Sequence, residues 1–489
     1  MSDNKKSILL KIRNSFKQLF TGQFIYTIIG FIGAYFFAHL LGPEKYGTWQ
    51  TANIFTGYVI LFSLGLPFVM RRDFIQLRAE NKTDEANKIA NQVFSYNLVV
   101  NPIFSVILFV VAVFFTKDKD FSLALITVGF INIFQIISGY GDIMTKAFNQ
   151  YDKLKNAKII LSVFTLISVF FVWKYRFNGL LFGFLLAQAA YALYFYIKRP
   201  LKFKWYWNNK LLKSLIFIGF PIYLQTVVNI VFSSIDRLII AANLSFEEVG
   251  HYSLSTLIKT PVTLLVSTLS IVVFTELNEK YGKKDTPDVI KLHMNVPQQF
   301  VTYILSPLIV FGVLLLPWLT KTFLPDYVPG IEAAQVFVFA ILFLSLAGFS
   351  SNALFILNKQ KLAAVSFTLA GILKVAGSLI VLKLGYGITG VASVTLIAYL
   401  LYDTLMVFWV NKQIKEPFNF SVIIKRNVPV LLSVLTLLIT IVVISTLNLD
   451  KLSLKATLVK TGLWIILTLP YSLYAKNKIN KLLSVIKIL

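Results

Sequence analysis

TLAGILKVAGSLIVL, residues 368–382, is apolar from end to end except for the hydroxyls of Thr368 and Ser378 and one lysine, Lys374. STLIKTPVTLLVS, residues 255–267, repeats the pattern around Lys259. What surrounds these two ammonium groups decides the fold. The chain has 489 residues, 57% hydrophobic and only 14% charged. Soluble domains carry about 25% charged residues, so one aqueous core cannot bury this much apolar surface. The bilayer is the solvent the composition demands.

A helix needs about 20 mostly apolar residues to cross the hydrocarbon core. Fourteen stretches qualify, at roughly 20–41, 48–70, 91–115, 121–142, 157–175, 178–197, 211–235, 249–275, 296–320, 333–357, 362–382, 386–410, 428–447 and 456–475. They do not alternate, and they are about twice the ~10 residues a barrel strand requires. The expected fold class is therefore an all-α polytopic membrane protein with fourteen transmembrane helices.

Charge sets the orientation. Most of the 47 Lys and Arg fall in the amino-terminal tail and in alternate loops, among them Arg71, Arg72, Lys146, Lys158, Lys202, Lys204, Lys361, Lys425 and Arg426. By the positive-inside rule that side is cytoplasmic, and it holds both termini. The net charge of +25 is then orientation signal and anionic-lipid contact, not a nucleic-acid surface, for which a separate basic polar domain would be needed. Cysteine is absent, which excludes disulfides and thiolate chemistry. Only His39, His251 and His293 are present, scattered along the chain, which argues against a histidine metal cluster. Ahead of the first span, Ile8, Leu9, Ile12, Phe16 and Leu19 share one helical face, as in an interfacial amphipathic helix over residues 1–20.

The two halves echo each other. LGPEKYGTWQTAN (41–53) aligns with LSFEEVGHYSLST (244–256), matching Leu41 to Leu244, Glu44 to Glu247 and Gly47 to Gly250. The pair Lys153-Leu154 followed by Gly179-Leu180 matches Lys361-Leu362 followed by Gly387-Ile388. Six spans per repeat is even, so both halves enter from the same side and form a parallel repeat. The expected organisation is a first six-helix lobe at 21–204, a second at 205–413, and two additional spans with a cytoplasmic carboxyl terminus at 414–489.

On these residues the chain resembles the polysaccharide transporters, the Wzx-type flippases, of the multidrug/oligosaccharidyl-lipid/polysaccharide (MOP) exporter superfamily. The likeness is carried by LGPEKYGTWQTANIFTGYVILFSLGL (41–66), IGFPIYLQTVVNIVFSSIDRLIIAANLSFEEVGHYSLS (218–255), FLPDYVPGIEAAQVFVFAIL (323–342) and ILNKQKLAAVSFTLAGILKVAGSLIVLKLGYGITGVASVTLIAYL (356–400). It implies two pseudo-symmetric, MATE-like lobes that flip an undecaprenyl-diphosphate-linked oligosaccharide outward by alternating access. It also implies a bacterial inner-membrane location and a role in O-antigen, capsule or exopolysaccharide synthesis.

Within that frame Lys259 and Lys374 lie roughly 15–18 Å from the ends of their spans at 1.5 Å per residue. Facing lipid there would cost about 2.5–3.5 kcal/mol, so both are assigned to a wet cationic cavity that receives the diphosphate. Pro261 and Gly377 mark places where these helices bend or approach a neighbour closely. Arg71, Arg72 and Arg237 are further diphosphate candidates, although topology explains the first two and an ion pair with Asp236 explains the third. Gln23, Tyr26, Asn53, Gln225 and Asn229 are candidate sugar contacts, with helix–helix hydrogen bonding as the equal alternative. Asp142 and Asp403 are candidates for ion coupling; Asp142 and Lys146 stand four apart, as in a helical ion pair. The tryptophans read as interfacial belts.

No cofactor is expected beyond a proton or sodium gradient. The expected partners are the lipid-linked oligosaccharide, membrane lipids and polysaccharide polymerase machinery, with the chain itself a monomer. The competing reading is an ion-coupled drug or cation antiporter of the same superfamily, whose chemistry needs acidic residues deep in a lobe. A membrane-embedded enzyme is disfavoured by the short outer loops, and nothing resembles a nucleotide-binding loop.

Overall fold

The computed structural model describes residues 2–259, 262–263, 266, 287–415, 420–445 and 452–488. Nearly all of them are helical. The helices are α1 (Ser2–Tyr58), α2 (Ile60–Ser63), α3 (Leu66–Ala79), α4 (Thr83–Val110), α5 (Lys119–Ala147), α6 (Tyr151–Lys198) and α7 (Asn209–Asn243). They continue with α8 (246–259) and α9 (Pro287–Phe323), α10 (Ile331–Ile356), α11 (Gln360–Lys383), α12 (Gly387–Gln413), α13 (Phe420–Ser445) and α14 (Leu454–Ile488). The chain divides into two compact units, Met1–Ser234 and Ile235–Leu489.

Among the described residues ten helices are long and apolar enough to cross a membrane, or up to eleven if a bent pair in α14 is one span. Two of them are too long to be single spans. Lys17–Ser63 and Tyr151–Lys198 hold 47 and 48 residues. At 1.5 Å per residue each is ~70 Å of helix, over twice the ~30 Å hydrocarbon core. Each is broken once, at Gly42 (φ 73°, ψ 172°) and at Arg176 (φ 52°, ψ −127°). Tyr151–Lys198 therefore contains two of the expected spans, and Lys17–Ser63 contains one and most of a second. About half of the expected span 249–275, Pro261 included, lies outside the described residues. The residues that echo one another occupy equivalent places. Leu41 and Leu244 stand where a helix breaks before restarting, and Lys153 and Lys361 lie in the first turns of α6 and α11.

One expected span is not continuous. The run 48–70 bends at Leu64 (φ 49°) and Gly65 (φ 78°), between α2 and α3. A bend inside a bilayer frees carbonyls that no lipid can satisfy. Here Tyr223 donates its hydroxyl to Leu61 O at 2.7 Å and Tyr96 donates to Phe62 O at 3.0 Å. The bend also packs backbone to backbone on α7. A Cβ on Gly65 would lie 2.4 Å from Gly219 O, and one on Gly219 would lie 3.0 Å from the Gly65 carbonyl. This contact explains the glycine of the IGFP stretch, which the sequence identified without a reason. Gly65→Ala is expected to cost at least about 1–3 kcal/mol from backbone strain alone, seen as a lowered unfolding temperature in detergent.

The amino-terminal residues from Ser2 are helical and run directly into α1. The side chains of residues 2–16 lie outside the described set, so the amphipathic face expected there goes undescribed.

Candidate functional site

On α11 the residues Ala363, Ser366, Phe367, Ala370, Lys374 and Ser378 are buried, at the three- and four-residue spacing of one helical face. Leu369, Ile372 and Ile380 on the other face are exposed and apolar. Lys374 therefore points inward, and it is 0% exposed. Gly377 lets α11 approach α12 closely, since a Cβ there would meet Val394 at 2.7 Å.

The Lys374 ammonium is not open to a cavity. It pairs with Asp236 of α7, Nζ to Oδ2 at 3.2 Å, and lies 5.3 Å from the centroid of the Tyr399 ring on α12. Tyr252 of α8 donates its hydroxyl to the same Oδ2 at 3.0 Å and also bonds Thr395. The other carboxylate oxygen, Oδ1, accepts the backbone N–H of Arg237 at 3.0 Å. Asp236 is 2% exposed. The expected side-chain pair between Asp236 and Arg237 is thus replaced by Asp236–Lys374. Neighbouring residues on a helix point in different directions, so Arg237 cannot share the buried face of Asp236. The expected pair of unsatisfied mid-depth lysines is corrected too, because Lys374 has a dedicated carboxylate.

Lys259 differs. It lies on α8 one and two turns beyond Ser255 and Tyr252, on the same face. Its side chain is half-buried and interacts electrostatically with Asp236, Lys374 and Arg237. Among the described residues no carboxylate comes within ion-pair distance of it, the Asp236 carboxylate being bonded to Lys374. With Asp236 bonded to Lys374, Lys259 and Arg237 are the cations of the group that have no ion pair among the described residues.

A second buried pair joins α12 to α13. The Arg426 guanidinium bonds both oxygens of Asp403 and reaches Gln298 Oε1 on α9 at 3.4 Å. The Gln298 amide in turn donates to Leu346 O and Ser350 Oγ on α10, each at 2.9 Å. Arg426, counted from sequence as a loop charge, is 4% exposed. Asp403, a candidate for ion coupling, is held by it.

In the first unit, Asp142 and Lys146 form the expected pair at 2.6 Å. Lys158 lies over the rings of Tyr26 and Tyr191, 4.8 and 5.5 Å from their centroids, and interacts with Asp142 and Lys146. Tyr26 and Asp142, singled out for different roles, are thereby brought into one cluster on α1, α5 and α6. Lys158, a loop charge by sequence, stands one residue inside the apolar run 157–175, which is the signal of its inward place. Among the described residues Arg71, Arg72, Gln23 and Asn53 join neither group. Arg71 is exposed, and Arg72 pairs with Asp73 at 2.6 Å. Gln23 and Asn229 are exposed, and Asn53 accepts from Thr56 at 3.3 Å. The Gln225 side chain lies outside the described residues. Among the described residues no group of three or more His, Asp or Glu side chains could hold a metal ion.

The fold is like that of solved transporters of the MOP superfamily. The structure resembles the lipid II flippase MurJ in its inward closed conformation, with TM-score 0.73 and 17% identity, covering 94% of this chain and 99% of that one. It also resembles an inward-facing multidrug resistance MATE family transporter, with TM-score 0.69 and 12% identity, covering 80% and 94%. A third likeness is to a MOP transporter from Pyrococcus furiosus described as having a binding pocket of reverse polarity, with TM-score 0.58 and 13% identity, covering 83% and 95%. By sequence, residues 36–327 match the family described as polysaccharide biosynthesis protein, and the chain belongs to that family. A search of the curated proteins found none that matches.

Proposed function

We propose that this protein is a flippase, not an enzyme, that carries an undecaprenyl-diphosphate-linked oligosaccharide from the cytoplasmic to the outer leaflet by alternating access. Surface polysaccharide synthesis (O-antigen, capsule or exopolysaccharide) would consume the product. The observation that carries this reading is the charge balance of the second unit. Among the described residues its two buried carboxylates, Asp236 and Asp403, are each matched by a cation, Lys374 and Arg426. Lys259, on a partly open face, and Arg237 are then in surplus among the described residues. A site with that balance attracts an anion. A diphosphate accepts charge-assisted hydrogen bonds from an ammonium, which are about twice as strong as neutral ones in a low-dielectric setting. A cation antiporter needs the opposite balance, free carboxylates at depth.

On this reading both termini are cytoplasmic, the membrane is the bacterial inner membrane, and polymerase machinery takes up the delivered substrate. A proton or sodium gradient is the candidate source of direction. The test is reconstitution in liposomes with a fluorescent lipid-linked oligosaccharide and a membrane-impermeant quencher. The expected result is outward movement of label that depends on the protein. No movement by the wild-type protein under any ion gradient overturns the proposal in favour of the antiporter.

A further inference from the structure

The segment between α6 and α7, RPLKFKWYWNNK (199–210), is not used by the charge cluster described above. Residues 202–208 have neither helical nor strand structure, yet their backbone is fixed. Three polar side chains of α4 accept its alternate N–H groups. Lys204 N donates to Asn91 Oδ1 at 3.1 Å, Tyr206 N to Ser95 Oγ at 3.0 Å and Asn208 N to Gln92 Oε1 at 2.6 Å. Donation by every second residue is the pattern of an extended strap, whose odd-numbered side chains share one side. Phe203 packs into the core against Phe94, with centroids 4.1 Å apart. Trp205 and Trp207 continue that side outward.

The two indoles are near-parallel, 12° apart with centroids at 6.1 Å, and Trp207 is near-parallel to Tyr96 at 6.4 Å. The ladder is anchored at its inner end, where the Tyr96 hydroxyl is bonded to Phe62 O. Trp207 is fixed by its indole N–H, which donates to Asn209 Oδ1 at 2.8 Å. Trp205 is the last ring, 60% exposed. Its neighbours are the exposed Lys202, Lys204, Asn208, Asn209 and Lys210. A membrane-belt tryptophan needs no such backbone clamp. These rings are held rigid in polar surroundings.

We infer that Trp205 and Trp207 form a docking shelf for the sugar rings of the lipid-linked oligosaccharide, an inference that rests on the function proposed above. The π-face of an indole is electronegative and the axial C–H groups of a pyranose carry partial positive charge, so the two stack. The fixed backbone lets the rings receive a sugar without first losing conformational freedom. Lys202, Lys204 and Lys210 complement the anionic linkage of the same substrate.

The probes are the lipid-linked oligosaccharide that accumulates in host cells depleted of this protein, and sugar-free undecaprenyl diphosphate. Equilibrium binding of each, radiolabelled, is measured on the purified full-length protein. For Trp205→Ala/Trp207→Ala the Kd for the glycosylated lipid is expected to rise about tenfold or more. The Kd for the sugar-free lipid stays within about twofold, the spread of ordinary surface substitutions. Trp205→Phe/Trp207→Phe, which keeps two flat faces, recovers most of the affinity and guards against a folding defect. Equal weakening for both lipids, together with quenching of tryptophan fluorescence by brominated phospholipid that falls in Trp205→Phe/Trp207→Phe, assigns the rings to the membrane surface and overturns the shelf. Unchanged affinity for both lipids overturns it equally. Failure of the parent reading looks different: depleted cells accumulate no such lipid, or the wild-type protein does not move it.

Discussion

Lys259→Gln slows translocation of the lipid-linked oligosaccharide roughly ten- to a hundredfold, while the protein inserts and unfolds as the wild type does. The magnitude follows from the interaction removed. A hydrogen bond to a charged group contributes about 1.5–3 kcal/mol, and about 1.4 kcal/mol is a factor of ten. Glutamine is one atom shorter and keeps a donor but loses the charge. Lys259 is half-buried and has no ion pair among the described residues, so little native-state stability goes with it. Lys374→Gln behaves differently, because it leaves the Asp236 carboxylate buried without its cation. Its transport defect should come with a lower unfolding temperature. The measurement is the initial flipping rate in proteoliposomes, normalised to folded protein. A Lys259→Gln protein that flips at the wild-type rate refutes the assignment of the diphosphate to this ammonium.

Asp403→Asn lowers the stability of the second unit by about 3–5 kcal/mol, the cost of stripping one partner from a buried ion pair. The Arg426 guanidinium would remain 4% exposed, with neutral amide oxygens, those of Gln298 and of the new asparagine, in place of a carboxylate. Replacing the pair together, Asp403→Leu with Arg426→Met, should regain most of the loss, because well-packed apolar residues often substitute for a buried pair without penalty. Thermal unfolding in detergent reads both. The same variants decide the ion-coupling role considered for Asp403. A double variant that folds and still flips substrate leaves Asp403 a clamp between α12 and α13. One that folds but no longer responds to an ion gradient makes it part of the coupling.

Much of the architecture was readable without coordinates. Apolar run length alone marks the spans, because a bilayer of nearly constant thickness imposes a nearly constant helix length. The echo between 41–53 and 244–256 was legible because a helix break before a restart needs the same small and polar residues in both halves. Less legible were the breaks. Arg176 and Leu64 adopt positive φ with no glycine or asparagine at the position to announce it. The bend at Leu64–Gly65 is set by where α7 presses Gly219 against it.

The candidate site was half legible. Both mid-depth lysines were found, since an ammonium within an apolar run is a local property of the string. Their roles were not. Lys374 and Lys259 have similar sequence surroundings, and what separates them is a carboxylate on another helix. Composition and period thus determined solvent and span, because each depends on residues close together in the chain. Only tertiary packing decided which lysine Asp236 neutralises, that Arg426 is buried, and that α4 holds the strap bearing Trp205 and Trp207. Charge pairing acts across a few ångströms of space, and residues that meet at that range are fixed by helix packing, which no single stretch of sequence encodes.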